Sequence, residues 1–290
     1  MPYELISLPE SAANGISSPT ALHSARSLLL LVEVFFSHLL GSTCMMLPRI
    51  KLQAPLDVIT ASPLIRGLVL ALQFATIHDG IGLTAKGTFN RKFVRWAAHQ
   101  FQWPGLAIES PLDETKLLGE SDFLPLAPLR ALAIRLKFLR RAKSTLVAND
   151  RGLSFLENPA ASFHRIASEY LFGFFAEPRK DHPQLNPLKL WVPILEYIES
   201  EGDEGISPLG LVRKLYPELA AASDLELTLK TWDLRSTLKF LYLRRLCWLG
   251  LLYEDRSGRT PLEEGTYHKT PLWTACMHWN ADSPKELVLH

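Results

Sequence analysis

The stretch HDGIGLTAKGTFNRKF, His78 to Phe93, decides how this chain is read. Its Gly80-Ile81-Gly82-Leu83-Thr84-Ala85 satisfies G-x-G-x-x-A, the spacing that lets a backbone approach a dinucleotide pyrophosphate. That chemistry needs a strand before the glycines and a helix beginning at them. Here the preceding SPLIRGLVLALQFATIHD opens on Ser62-Pro63, an N-cap followed by proline at the first helical position, and has the length of a helix. The next helix begins near Thr88, several residues too late. A G-K-[ST] phosphate loop fails as well, since Lys86 precedes Gly87 and no such triplet occurs. The glycines therefore mark a turn of the backbone, and no cofactor is expected.

The helix after this turn, expected over 88–101, carries Phe89, Phe93, Trp96, Ala97 and Phe101 at helical spacing. Thr88 or Asn90 can cap it. Arg91, Lys92, Arg95 and His99 fall mostly off the apolar stripe. They form either a solvated cationic side or, with Lys86, a set of phosphate contacts.

The densest run of positive charge lies further on, in LAPLRALAIRLKFLRRAKS. Arg130, Arg135, Lys137, Arg140, Arg141 and Lys143 occur there with no acid among them. A helix over 125–142 would align Arg130, Lys137 and Arg141 on one face, opposite Leu129, Leu132, Leu136 and Leu139. This face is the candidate for nucleic acid. Its alternatives are a solvated face, favoured near a helix C-terminus by the macrodipole, or internal pairing with the acidic linker 109–122.

A layout recurs along the chain. A hydrophobic helix leads to a short apolar stretch, a polar turn and another helix. The turns are Gly82–Gly87, Leu146–Gly152 and Tyr267–Leu272. The last part is the fullest: a helix at 188–200, a short helix opened by Ser207-Pro208, and a long helix over about 225–247. Leu249 to Tyr253 then reads as a strand, and Thr266 to Lys269 returns as a second after a polar loop. Arg235, Lys239, Arg244 and Arg245 repeat the positive charge here, diluted by neighbouring acids.

Helix, helix, helix, strand, loop, strand, helix is the order of a winged helix, and the chain resembles that superfamily. Its wing commonly exits through an L-T-x-x-G turn, which Leu83-Thr84-Ala85-Lys86-Gly87 matches fully. Leu146 to Gly152 matches it loosely, and the third copy keeps Thr270 but has Leu272-Trp273 in place of the glycine. Taken with SDFLPLAPLRALAIRLKFLRRAKSTLVANDRG and WDLRSTLKFLYLRRLCWLGLLYED, the LTAKG segment also looks like one uncharacterised bacterial family. That family accompanies plasmids and other mobile elements and is grouped with the Ri-plasmid open-reading-frame-three proteins. The likeness covers about residues 60–275 and implies no activity. In a winged helix the helix before the wing is often the one laid in the major groove, which would give the basic run its role.

Bulk composition sets the outer limits. The 290 residues carry a formal net charge of +1, with 47% hydrophobic and 21% charged residues. A sizeable core is assured and wholesale disorder excluded, while any nucleic-acid role must come from local patches. Cys44, Cys247 and Cys276 are too few and too scattered for a disulfide framework, which fits a reducing, cytoplasmic setting. Ser27 to Leu47 has the length of a membrane span, yet Glu33 and His38 inside it favour a buried helix.

Catalysis finds little support. No G-x-S-x-G or H-E-x-x-H occurs, and Cys276, His278, Cys247 and His268 lack the paired spacing of a metal site. The expected protein is mainly α, with short β-hairpin wings in tandem winged-helix-like modules. These comprise an arm and hydrophobic helix (1–55), a first module with the LTAKG turn (56–108), a second (120–178) and a C-terminal domain (186–290). Two functions fit: an accessory protein that meets double-stranded DNA through Arg130, Lys137, Arg140, Arg141 and Lys143, or a non-catalytic module that binds a protein partner.

Overall fold

The computed structural model describes residues 49–50, 57–106, 119–173, 187–217, 231–256 and 265–278. The hydrophobic segment 27–47, most of the acidic linker and the break at 177–186 lie outside the described residues. The described part is mostly helical, with antiparallel sheets of two or three strands. Among the described residues no helix is long and apolar enough to cross a membrane.

A short strand β1 (Arg49–Ile50) and one helical turn α1 (Val58–Ala61) come first. The Ser62 hydroxyl then accepts from the Ile65 N–H at 3.3 Å, and Pro63 starts α2 (Pro63–Ile77). Leu64, Leu68 and Leu72 recur down its buried face. After the short strand β2 (Ile81–Gly82), Asn90 caps α3 (Arg91–Gln100) by accepting from Phe93 N–H. The helix thus begins later than the Thr88 expected. Phe93 brings its ring to 5.0 Å from Phe74 of α2, in an edge contact that anchors the two helices.

The next helix corrects the sequence reading. It is α4 (Leu126–Arg135), not a helix over 125–142. Lys137 turns the chain at φ 60°, the Lys137 N–H reaches Ile134 O, and the Phe138 N–H reaches Ala133 O. This left-handed closure ends a helix without needing a glycine. The chain then enters a hairpin of β3 (Leu139–Ala142) and β4 (Thr145–Ala148), with Lys143 at φ 54° in its turn. β2 adds to β4, so the sheet runs β2-β4-β3 and joins residues from the expected 56–108 and 120–178 stretches.

The Leu83–Gly87 turn consequently does not leave a hairpin. It links the lone strand β2 to α3, closed by a bridge between Leu83 and Phe89. The hairpin's own exit is Asn149, which caps α5 (Asp150–Glu157). A 3-10 turn at Ala160–Ser162 then leads into α6 (Phe163–Leu171).

The same layout returns downstream. Helix α7 (Pro187–Glu201) gives way to Ile206, which bridges to Tyr267, and to α8 (Pro208–Leu215), capped by Ser207. Then α9 (Trp232–Leu238), a π-helical turn (Lys239–Leu243) and α10 (Arg244–Leu249) run on as one long helix. Gly250, at φ 85°, ends it as Lys137 ends α4, and the chain continues into the strand pair β5 (Leu252–Asp255) and β6 (Thr266–Lys269). Thr270 caps α11 (Pro271–Cys276), and β7 (Met277–His278) pairs back to β1. The second strand begins as the sequence predicts. The first starts at Leu252 because the left-handed turn takes Gly250.

Both repeats therefore read helix, short strand, helix, helix, hairpin, helix. In each, the short strand pairs with the returning strand of the hairpin. They share one body: Trp103 meets Trp248 edge-on at 5.5 Å, and Arg245 of α10 donates to Tyr170 O of α6 at 2.8 Å. The described residues cluster as one compact unit.

Candidate nucleic-acid interface

Breaking the expected 125–142 helix redistributes its cations. Arg130 and Arg135 stay on α4, Lys137 lies in the turn, and Arg140 and Arg141 are successive residues of β3. Alternation along a strand sends those two to opposite faces. Arg141 pairs in register with buried Leu146, and Arg140 with Val147. The common face expected for Arg130, Lys137 and Arg141 does not exist.

Arg130 is occupied internally. Its Nε lies 2.9 and 3.2 Å from the two Glu120 oxygens, and Nη2 lies 3.0 Å from Oε1. Glu120 is 5% exposed and also accepts from the Phe89 N–H at 2.7 Å. The alternative of internal pairing with the linker thus holds for this arginine. Arg135 pairs with Glu169 of α6. The outward side of α4 is left with Ala127 and Ile134, the latter 41% exposed.

The hairpin tip is different. Arg140, Arg141 and Lys143 are exposed, as is Lys86 in the turn that precedes α3. The Leu83 N–H donates to Ser144 O at 2.8 Å, which ties that turn to the hairpin tip. A Cβ placed on Gly87 would stand 3.7 Å from Nη1 of Arg141, so the Lys86-Gly87 backbone lies beside this arginine. Arg141 is steadied by its Nε donating to Lys143 O at 3.3 Å. Among the described residues, no carboxylate comes within ion-pair distance of Lys86, Arg140, Arg141 or Lys143.

Arg91 and Lys92 are exposed in the first turn of α3, where cations oppose the helix dipole and Asn90 supplies the cap instead. The Asn90 N–H donates to Gly82 O, which fixes this helix start against β2. Arg95 is half-buried, and its Nε has no hydrogen-bond partner. It faces the interior more than the expected cationic side. Lys137 is exposed, but at the opposite end of β3 from Lys143. The structure thus gathers Lys86, Arg141 and Lys143, leaves Arg140 on the other face of β3, and separates Arg130, Lys137 and Arg95 from them.

Among the described residues, the second repeat shows no such cluster. Arg235 is buried, Lys239 pairs with Glu254 at 3.2 Å, and Arg245 is spent on Tyr170. Sequence reasoning ranks Glu120 only as one of several linker acids. Its signal lies in tertiary packing, which spacing along the chain does not carry.

Comparison with known proteins places these repeats. Residues 60–161 match the Y4jL N-terminal domain family, and residues 180–271 match the y4jL C-terminal domain family. The two matches coincide with the two copies of the layout. An uncharacterised protein y4jL from Sinorhizobium fredii (strain NBRC 101917 / NGR234) is 38% identical over 200 residues, which is 69% of this chain and 91% of that protein. No solved structure matches. The chain belongs to the y4jL family.

Proposed function

We propose that this protein is a DNA-associated accessory protein of a mobile element, holding duplex DNA by its phosphates through the first repeat. One observation carries this reading: Lys86, Arg141 and Lys143 stand exposed at one hairpin tip, Arg140 is exposed on the other face of the same strand, and none of the four has a carboxylate partner among the described residues. The strand order β2-β4-β3, interleaved with α2, α3 and α4, supports reading the first repeat as winged-helix-like, with β3 and β4 in the place of the wing. Contact runs through the wing and the Leu83–Gly87 turn, because the arginines of α4 are held by Glu120 and Glu169. Phosphate contact of this kind gives affinity without sequence selection.

The test is fluorescence anisotropy with a labelled duplex across a salt series. Arg140→Ala/Arg141→Ala/Lys143→Ala should weaken binding and lower the slope of log K against log salt by about three. Arg135→Ala should leave the slope alone. Absence of binding at low salt, or a triple variant that binds like the parent, overturns the reading.

A second reading, docking of a protein partner, draws on the apolar outward side of α4. Ile134, in its last turn, and Leu124, just before its first, are 41% and 48% exposed. Such docking would survive the triple hairpin variant and be lost in Leu124→Lys/Ile134→Lys.

A further inference from the structure

A cavity of about 420 Å³ lies where the two repeats meet. Pro63, Pro104, Leu106 and Leu124 line it from the first repeat, Trp248 and Leu252 from the second. Its volume falls in the range of small-molecule sites, and its walls are apolar with a few polar groups, as such sites are.

The polar groups are unevenly satisfied. Glu254 Oε1 is taken by Lys239 at 3.2 Å and Arg256 at 3.5 Å. Arg244 lies against rings instead, its guanidinium carbon 4.1 Å from the Phe240 centroid and 5.6 Å from that of Trp248. Among the described residues, no carboxylate lies within ion-pair distance of it. Burial lowers its pKa from the ordinary value, as expected of a guanidinium that has lost part of its water. Aromatic faces offset only a fraction of that loss. A planar fork of donors that meets no acceptor among the described residues, at the wall of an apolar chamber, is complementary to a carboxylate.

We propose that this cavity binds a small organic carboxylate, its anionic end on Arg244 and its apolar body against Trp248, Leu106 and Leu252. A bare phosphate fits less well, because it would leave the apolar walls wet and bring a second charge towards Glu254. The site is separate from the hairpin tip, so its occupancy and DNA binding are tested independently.

Isothermal titration calorimetry on the full chain, with octanoate, octan-1-ol and inorganic phosphate as probes, decides the matter. Octanoate should bind saturably at one site per chain, with octan-1-ol and phosphate each at least about tenfold weaker. Arg244→Met, which keeps an apolar stem, should weaken octanoate by about tenfold or more and leave octan-1-ol within about twofold. Equal affinity for octanoate and octan-1-ol, phosphate binding as tight as octanoate, or an unchanged Arg244→Met overturns the proposal. Should Arg244→Met fail to fold, Leu106→Trp fills the cavity from its wall without touching Arg244. It should abolish octanoate binding with an unaltered circular dichroism spectrum, and retained binding overturns the proposal equally.

Discussion

The Arg130 guanidinium grips the Glu120 carboxylate through both oxygens, at 2.9 to 3.2 Å, while the same carboxylate receives the Phe89 N–H at 2.7 Å. One buried acid thereby ties α4 to the segment that leads into α3. Removing Arg130 leaves that acid with a single donor in a dry site, which costs more than the pair itself contributes. Arg130→Ala should lower stability by about 2 kcal/mol, less than for a fully enclosed pair because Arg130 is partly exposed. Urea unfolding of Arg130→Ala, Glu120→Ala and the double variant measures this, and a coupling of about 1 kcal/mol or more is expected. Additive losses would mean that the pair is spent on solvent.

Lys143 adopts φ 54° in the turn between β3 and β4, a conformation that strains any residue with a Cβ by about 1 kcal/mol or more. Glycine relieves that strain but loses more entropy on folding, by a similar amount. Lys143→Gly should therefore leave the melting temperature nearly unchanged, whereas Lys143→Val should destabilise by about 1–2 kcal/mol. If the hairpin meets DNA, Lys143→Gly also lowers the salt slope by about one without unfolding the tip. Thermal melts and anisotropy on the same samples separate the structural effect from the electrostatic one.

The two hairpins show which features are legible in the sequence and which are not. Helix starts are legible at Ser62, Asn90, Ser207 and Thr270, because each cap binds a backbone N–H only three residues on. The hairpin of the second repeat is visible because a polar loop parts two apolar stretches, although the pattern puts Gly250 in the first strand and not at the helix end. That of the first is hidden, since Lys137 makes the same left-handed turn without a glycine. Leu132, Leu136 and Leu139 also keep helical spacing straight across it. Reading the run as one helix then places Arg130 with Arg141, and only the fold reveals that they part. The partner of Arg130 is out of reach for a different reason. Glu120 is chosen by packing against the start of α3, and nothing in the local pattern separates it from Glu109 or Glu114.

Alkaline pH should unfold the protein earlier than its composition suggests. Burial pushes the Cys247 thiol from 9.0 up to about 12, and raises the Tyr170 and Tyr242 phenols above their ordinary value of 10.0. All three hold their protons more tightly folded than unfolded. Their contribution is thus fully present below the unfolded pKa of each group and lost as pH rises towards the folded one. Stability measured by urea unfolding should fall from about pH 9 upward, each group adding a slope of up to about 1.4 kcal/mol per pH unit. Cys247→Ala should remove the part of that fall that begins near pH 9. A flat profile up to pH 11 would show that Cys247 ionises freely in the folded state.

Gly250 answers to two demands at once, and its replacement should show both. Its φ of 85° is left-handed, and a Cβ there would overlap the Ala61 carbonyl of the first repeat. The turn that starts β5 is therefore pressed against the segment that caps α2. Thr270 Oγ1 adds to the constraint by donating to Gly250 O at 2.6 Å, so the peptide cannot simply rotate away. Gly250→Ala should cost about 2–4 kcal/mol, combining backbone strain with a forced separation of the repeats. Lys137→Gly, at the equivalent turn of the first repeat, relieves a strained side chain and should cost little or nothing. Because Ala61, Gly250 and Thr270 all line the cavity, the alanine variant should also widen it and weaken octanoate binding. Urea unfolding with calorimetry on both variants tests the pairing. A cost of only about 1 kcal/mol for Gly250→Ala would show that the turn conformation alone matters and that the contact with Ala61 contributes nothing.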